Sequence, residues 1–199
     1  MKFLILFCVY LTTTAPSHSQ EWNLKRNTNN IKVYTRELDS TKFNEYKAVL
    51  IARTSIKKAL ETIVDADNLK KWNYKTPQSK LVKKISDSEF VFWMENDLPW
   101  PISNRDHVSS INVSQPEANT YKIVIKPADS NYVEKEKNII RMDNFEGYWL
   151  IKEIGKDSVE ITQQMYGDPK GTIPSWLVNS ILVTFPYHSF ENLKEILEN

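Results

Sequence analysis

The stretch "WMENDLPWPISNRDHV", Trp93–Val108, decides how the chain is read. An aromatic, strand-like run passes through Leu98-Pro99-Trp100-Pro101, and a second strand-like run starts at Arg105-Asp106-His107. Proline cannot donate to a sheet ladder, so this pair of prolines marks where the chain must bend. Adjacent residues on a strand point to opposite faces, which puts Arg105 and His107 together and Asp106 away from them. A direct Asp-His pair between these neighbours is therefore disfavoured. The segment reads as a structural corner between two long strands, with Arg105 or Asp106 paired to an opposite charge. Asp106 and Arg141 are the expected brace.

Outward from that corner, strand periodicity dominates from Ser79 to Tyr166. Runs such as "EFVFWMEND", "TYKIVIKP", "EGYWLIKEIG" and "SVEITQQMYGD" are separated by turn-prone "SDSE", "QPEAN", "ADSN" and "GKDS". In the last run Val159, Ile161, Gln163 and Met165 share one face, as in an antiparallel sheet with one covered side. Before it, "IKVYTREL" and "KFNEYKAVLIAR" read as an opening strand pair. "TSIKKALETIVDADNLKKW" then switches to helical period, capped by Ser55, with a second short helix from Asp67 to near Trp72. After the strands, Ile173, Leu177, Ile181 and Phe185 recur every four residues. Thr172 is placed to cap this helix, Pro174 falls in its first turn, and Pro186 should kink it. The order predicts an α+β, helix-grip architecture. A curved antiparallel sheet wraps around a long C-terminal helix and leaves an internal apolar cavity.

The chain has 199 residues, 41% hydrophobic and 26% charged, which suits one ordinary globular domain. The 12% aromatic content supplies large rigid surfaces for a core or for cavity walls. Residues 1–19 read as a secretory signal: Lys2, then "FLILFCVYL", then small and polar "TTTAPSHSQ". The apolar run is too short to span a bilayer. The expectation is a secreted or periplasmic protein whose single domain is residues 20–199. Without Lys2, 25 basic residues face 25 acidic ones, so net charge favours neither nucleic acid nor an anionic membrane. Cys8 is the only cysteine, so the exported chain has no disulfide and no thiol nucleophile.

Three elements in order, "DLPWPISNRD", then Arg141 leading into "GYWLI", then "YGDPKGTIPSWLVN", resemble the StAR-related lipid-transfer (START) family, in its extracytoplasmic bacterial form. The resemblance covers most of the chain after the signal and is weakest over the first strands. It implies a helix-grip fold whose tunnel holds one apolar ligand, with the C-terminal helix and neighbouring loops as the gate. It also implies that Arg105 and Asp106 stand beside the tunnel or support its rim.

Chemistry beyond that is sparse. There is no Gly-x-Ser-x-Gly elbow, HExxH motif or dinucleotide fingerprint, and the histidines lack metal-ligand spacing. No cofactor, metal or catalytic residue is assigned. "GDPKGTIP" lacks the Lys-Ser/Thr ending of a phosphate loop and reads as a strand-to-helix connection. The expected tunnel residues are Trp93, Glu95, Arg105, His107, Trp149, Gln163, Met165, Leu177, Ile181 and Phe185. Gly167, Gly171, Pro174 and Pro186 are the expected flexing points of the gate. Glu95 and Gln163 are candidates to orient a polar head, against an equally ordinary reading as solvent-facing residues. The expected partner is a hydrophobic small molecule or lipid, with transient membrane contact during exchange. Two readings stay open beside it: an enzyme of the same fold (cyclase, dehydratase or hydrolase) and an interaction protein with a vestigial cavity.

Overall fold

The computed structural model describes residues 20–199; the segment 1–19, read above as a signal, lies outside the described residues. Three strands open the chain: β1 (Asn23–Thr28), β2 (Ile31–Leu38) and β3 (Thr41–Ala52). Helix α1 (Ile56–Ile63) and a 3-10 turn (Ala66–Lys71) follow. Then come β4 (Ser79–Lys84), β5 (Glu89–Asn96), β6 (Arg105–Glu117), β7 (Thr120–Pro127), β8 (Ile140–Met142), β9 (Phe145–Gly155) and β10 (Ser158–Gly167). The chain ends in α2 (Ser175–Glu198). The strands form one curved sheet in the order β1-β2-β3-β10-β9-β7-β6-β5-β4, antiparallel along this path. This is the helix-grip architecture, with α2 lying against the sheet's concave face.

The local signals explain most of these elements. Ser55 caps α1 by accepting from the Lys58 amide at 3.1 Å. Along α2, Tyr187, Phe190, Leu193 and Leu197 are buried, at the spacing of one helical face. They meet Ile31, Val33, Leu50, Ile151 and Ile161 from the sheet in the main core. Phe190 stacks on Trp149, ring centroids 5.6 Å apart, and Trp72 meets Trp149 edge-on at 6.0 Å. These three aromatics pack together between sheet and helix. Gly147 is needed on β9 because a Cβ there would stand 2.2 Å from the Gln164 carbonyl oxygen of the neighbouring strand.

Three expectations are corrected. The opening pair is a triplet, because the largely exposed and polar "NLKRNT" of β1 pairs with β2 without any hydrophobic alternation to announce it. β8 does not extend the antiparallel meander but pairs in parallel with β6, aligning Asp106 with Arg141. Thr172 does not cap the last helix. α2 starts at Ser175 with Pro174 as its N-cap and no side-chain cap, and the helix continues through the buried Pro186.

The corner opened above is closed by a buried ion pair. β5 and β6 are antiparallel neighbours, with Asn96 opposite Arg105, so residues 97–104 form the bend between them. On the face away from α2, Asp106 accepts from Arg141 through both oxygens (Nε 2.8 Å, Nη2 2.6 Å) and from the Trp93 indole at 2.8 Å. The Arg141 guanidinium also donates to the carbonyls of Ser130, Val133 and Glu134. One side chain thereby ties β6 and β8 to the segment after β7. Burial alone would raise the Asp106 carboxyl, but the Arg141 and Trp93 hydrogen bonds hold it below the usual carboxylate range.

Replacing Arg141 with Met leaves Asp106 buried and unpaired, and is expected to cost about 3–5 kcal/mol in chemical denaturation. The double variant Asp106→Leu/Arg141→Met should cost less than Arg141→Met alone. A double variant as damaged as the sum of the two singles would contradict the brace.

Candidate functional site

The pleat decides what faces α2. On β5 the side chains of Phe92, Met94 and Asn96 point inward, and on β6 those of Arg105, His107, Ser109 and Ile111. Ile123 and Ile125 of β7, Phe145 and Trp149 of β9, and Gln163, Met165 and Gly167 of β10 continue the wall. Helix α2 contributes Val178, Ile181, Leu182, Phe185, Pro186 and Ser189. Together they enclose an apolar cavity of about 250 Å³.

Polar groups in this wall are few and mostly paired. Gln163 Oε1 accepts from the Tyr46 hydroxyl at 2.9 Å, and burial pushes the Tyr46 phenol up, so it stays protonated. His107 Nδ1 lies 2.7 Å from Ser109 Oγ. Asn73 is held by Thr76 and Ser189, both at 2.9 Å. Arg105 is 3% exposed and makes no ion pair among the described residues. Its Nε donates to the Pro169 carbonyl at 2.8 Å, Nη2 to Lys170 at 2.9 Å, and Nη1 to Ser103. The side chain thus fastens the connection between β10 and α2 onto the start of β6. In that connection Lys170 and Gly171 both have positive φ, 55° and 70°, a conformation that costs glycine little.

Of the residues expected in the tunnel, seven border this cavity: Arg105, His107, Trp149, Gln163, Met165, Ile181 and Phe185. Three do not. Trp93 and Glu95 sit on the opposite face of β5, where Trp93 packs with Val91 and Val108 and Glu95 accepts from Asn104 at 2.6 Å. Both faces of this strand are covered, because Ala128 and Val133 pack over the outer one. An aromatic residue there does not announce which side is the cavity. Leu177 belongs to a small cluster with Phe43, Ile173 and Leu98, and its neighbour Val178 takes the inward position. Among the expected gate residues, Gly167 and Pro186 border the cavity, while Gly171 and Pro174 lie in the connection beside it. The alternation of "EFVFWMEN" carried Phe92, Met94 and Asn96 as the other choice of face. Leu69, Trp72 and Asn73, just after α1, carried no sequence signal for the cavity.

The inward segregation has an electrostatic consequence. His107 borders the cavity yet is enclosed by protein atoms, and burial brings its imidazole down to about 4. The nearby Asp106 carboxylate opposes that shift and Arg141 adds to it. An unfolded histidine titrates near 6.5, so the unfolded chain takes up this proton first as pH falls. Stability due to neutral His107 is present above pH 6.5 and is lost progressively between about 6.5 and 4. His107→Gln should therefore remove about 1–2 kcal/mol of the difference between unfolding free energies at pH 7 and pH 5. An unchanged difference would contradict the burial of a neutral ring.

An antiparallel sheet gripping a long helix around an apolar chamber defines a helix-grip protein with an internal pocket, and the comparisons agree. The START domain family matches residues 11–195, and the chain belongs to that family. An uncharacterized protein of Pseudomonas aeruginosa is 27% identical over 202 residues, covering 100% of this chain and 97% of that one. The phosphatidylcholine transfer protein of Rattus norvegicus is 28% identical over 163 residues, covering 80% of this chain and 75% of its own. Among solved structures, the STAR-related lipid transfer protein of Xanthomonas axonopodis superposes with a TM-score of 0.80 at 27% identity, covering 88% and 98%. Human StAR-related lipid transfer protein 5 has the same fold, with a TM-score of 0.74 at 18% identity over 89% and 88%.

Proposed function

We propose that this protein binds one hydrophobic molecule, a lipid or a similarly apolar compound, in the cavity between the sheet and α2, and carries it between membranes outside the cytoplasm. The observation that carries the reading is the cavity itself: about 250 Å³, walled by aliphatic and aromatic side chains, with few polar groups, most of them paired. Removing apolar surface from water contributes about 25 cal/mol per Å², so a ligand shedding a few hundred Å² is held firmly without specific bonds. The names of the relatives, a phosphatidylcholine transfer protein and StAR-related lipid transfer proteins, support the same class of ligand.

Exchange requires an exit, and two exposed tryptophans mark one. Leu98 borders the cavity and packs, with Ile102, against Ile173, Leu177 and Val178 at the start of α2. Trp100 in that bend is 92% exposed, and Trp176 in the first turn of α2 is 71% exposed. Tryptophan favours the boundary between headgroups and acyl chains. A protein resting on these two side chains would present the 97–104 bend and the start of α2 to the bilayer. Gly167, Gly171, Pro174 and Pro186 adjoin the elements that must then part. The export of the chain rests on the signal-like order of residues 1–19.

Protein recovered from the culture medium or periplasm is expected to have the intact mass of a chain starting at Gln20. In native mass spectrometry it should carry one lipid-sized adduct. Ile181→Trp, which fills the cavity, should lose the adduct while remaining folded. Adduct-free wild-type protein, or equal loading of Ile181→Trp, would contradict the proposal. Trp100→Ala/Trp176→Ala should reduce transfer between vesicles at least tenfold with the bound fraction unchanged. Transfer at the wild-type rate would remove the docking role of this rim.

A further inference from the structure

We infer that the ligand is an apolar molecule whose head carries net negative charge, and that the head is received by Arg105. This rests on the binding function proposed above and narrows it. Of the side chains bordering the cavity, Arg105 alone carries a formal charge at neutral pH, and no carboxylate lines the wall with it. The acid next to it in sequence is unavailable as a counter-charge: Asp106 points to the opposite face, and Arg141 occupies both of its oxygens. Arg105 is buried with neutral partners only, the carbonyls of Ser103, Pro169 and Lys170.

A guanidinium has five N–H donors. Three are used on those carbonyls, one from each nitrogen, so Nη1 and Nη2 each keep one N–H for another partner. Carbonyl dipoles orient a cation but leave its net charge in place. A carboxylate or phosphate oxygen would supply both the missing charge and an acceptor, in the geometry that guanidinium groups favour. The remaining polar groups of the wall are neutral at pH 7, and several are paired with one another. Gln163 is paired with Tyr46, His107 with Ser109, and Asn73 with Thr76 and Ser189.

Charge chooses the class of molecule. The wall offers a cation to a head that carries net negative charge, and no carboxylate competes for it. Arg105 also stands beside the 97–104 bend and the β10–α2 connection, so the head would lie next to the proposed exit.

Calorimetric titration of delipidated protein with palmitate, 16:0 lysophosphatidate, hexadecanol and phosphatidylcholine vesicles tests this. One or both of the single-chain anions should bind at least tenfold more tightly than hexadecanol, and which of them does so separates a carboxylate head from a phosphate head. Arg105→Gln should abolish that preference, read as the ratio of anion to hexadecanol affinity within the variant. Should this variant fail to fold because its clamp on residues 169–170 is lost, the wild-type comparison decides by itself. Equal binding of hexadecanol and the anions, or binding of phosphatidylcholine in preference to palmitate, would overturn the inference while leaving the cavity a lipid site. Binding of none of the four would overturn the binding function as well, and this inference with it.

Discussion

The pleat of β6 separates Arg105, Asp106 and His107 into two environments, and much of the molecule follows from that division. Asp106 turns outward into a dry layer where Arg141 and the Trp93 indole satisfy it. Arg105 and His107 turn inward toward α2. The outward node ties together β6, β8 and the segment after β7, which stiffens the wall on which the inward residues stand. A one-residue slip of β6 would exchange the two sets, putting a carboxylate in the apolar cavity and leaving Arg141 without its partner. The buried pair therefore acts as a register lock, whatever its net contribution to stability.

That arrangement reconciles a charged corner with an apolar chamber. The ion pair and the chamber lie on opposite sides of one sheet, so neither imposes its solvation on the other. Arg105 is the exception, a cation facing the chamber with only carbonyl oxygens around it. By fastening the β10–α2 connection to the start of β6, it also links the wall to the elements that would have to open. A charged head arriving there would meet the clamp and the ligand wall at the same residue.

Most of the architecture was legible in the sequence because the signals were periodic. Alternation in "SVEITQQMYG" and four-residue recurrence along α2 each follow from a single buried face. Legibility failed where a strand had two covered faces or none. β5 is buried on both sides, so Trp93 and Glu95 could be assigned to the cavity while Phe92 and Met94 occupied it. β1 is almost wholly exposed, so nothing apolar marked it. Leu177 and Val178 are adjacent and both apolar, and the choice between them depends on the rotation of α2, which the spacing alone does not define. The parallel pairing of β8 and the carbonyl partners of Arg105 are contacts between distant segments. Local pattern carries no trace of them.

Photo-cross-linking with a long-chain diazirine probe tests most directly the claim that the space between the sheet and α2 is the ligand chamber. Labelled protein would be digested and the modified residues located by mass spectrometry. Labels should fall on inward residues of β9, β10 and α2, such as Trp149, Met165 and Ile181, and excess unlabelled lipid should suppress them. Labels confined to outer residues such as Trp176 or Ile154, with the inward set untouched, would contradict the account.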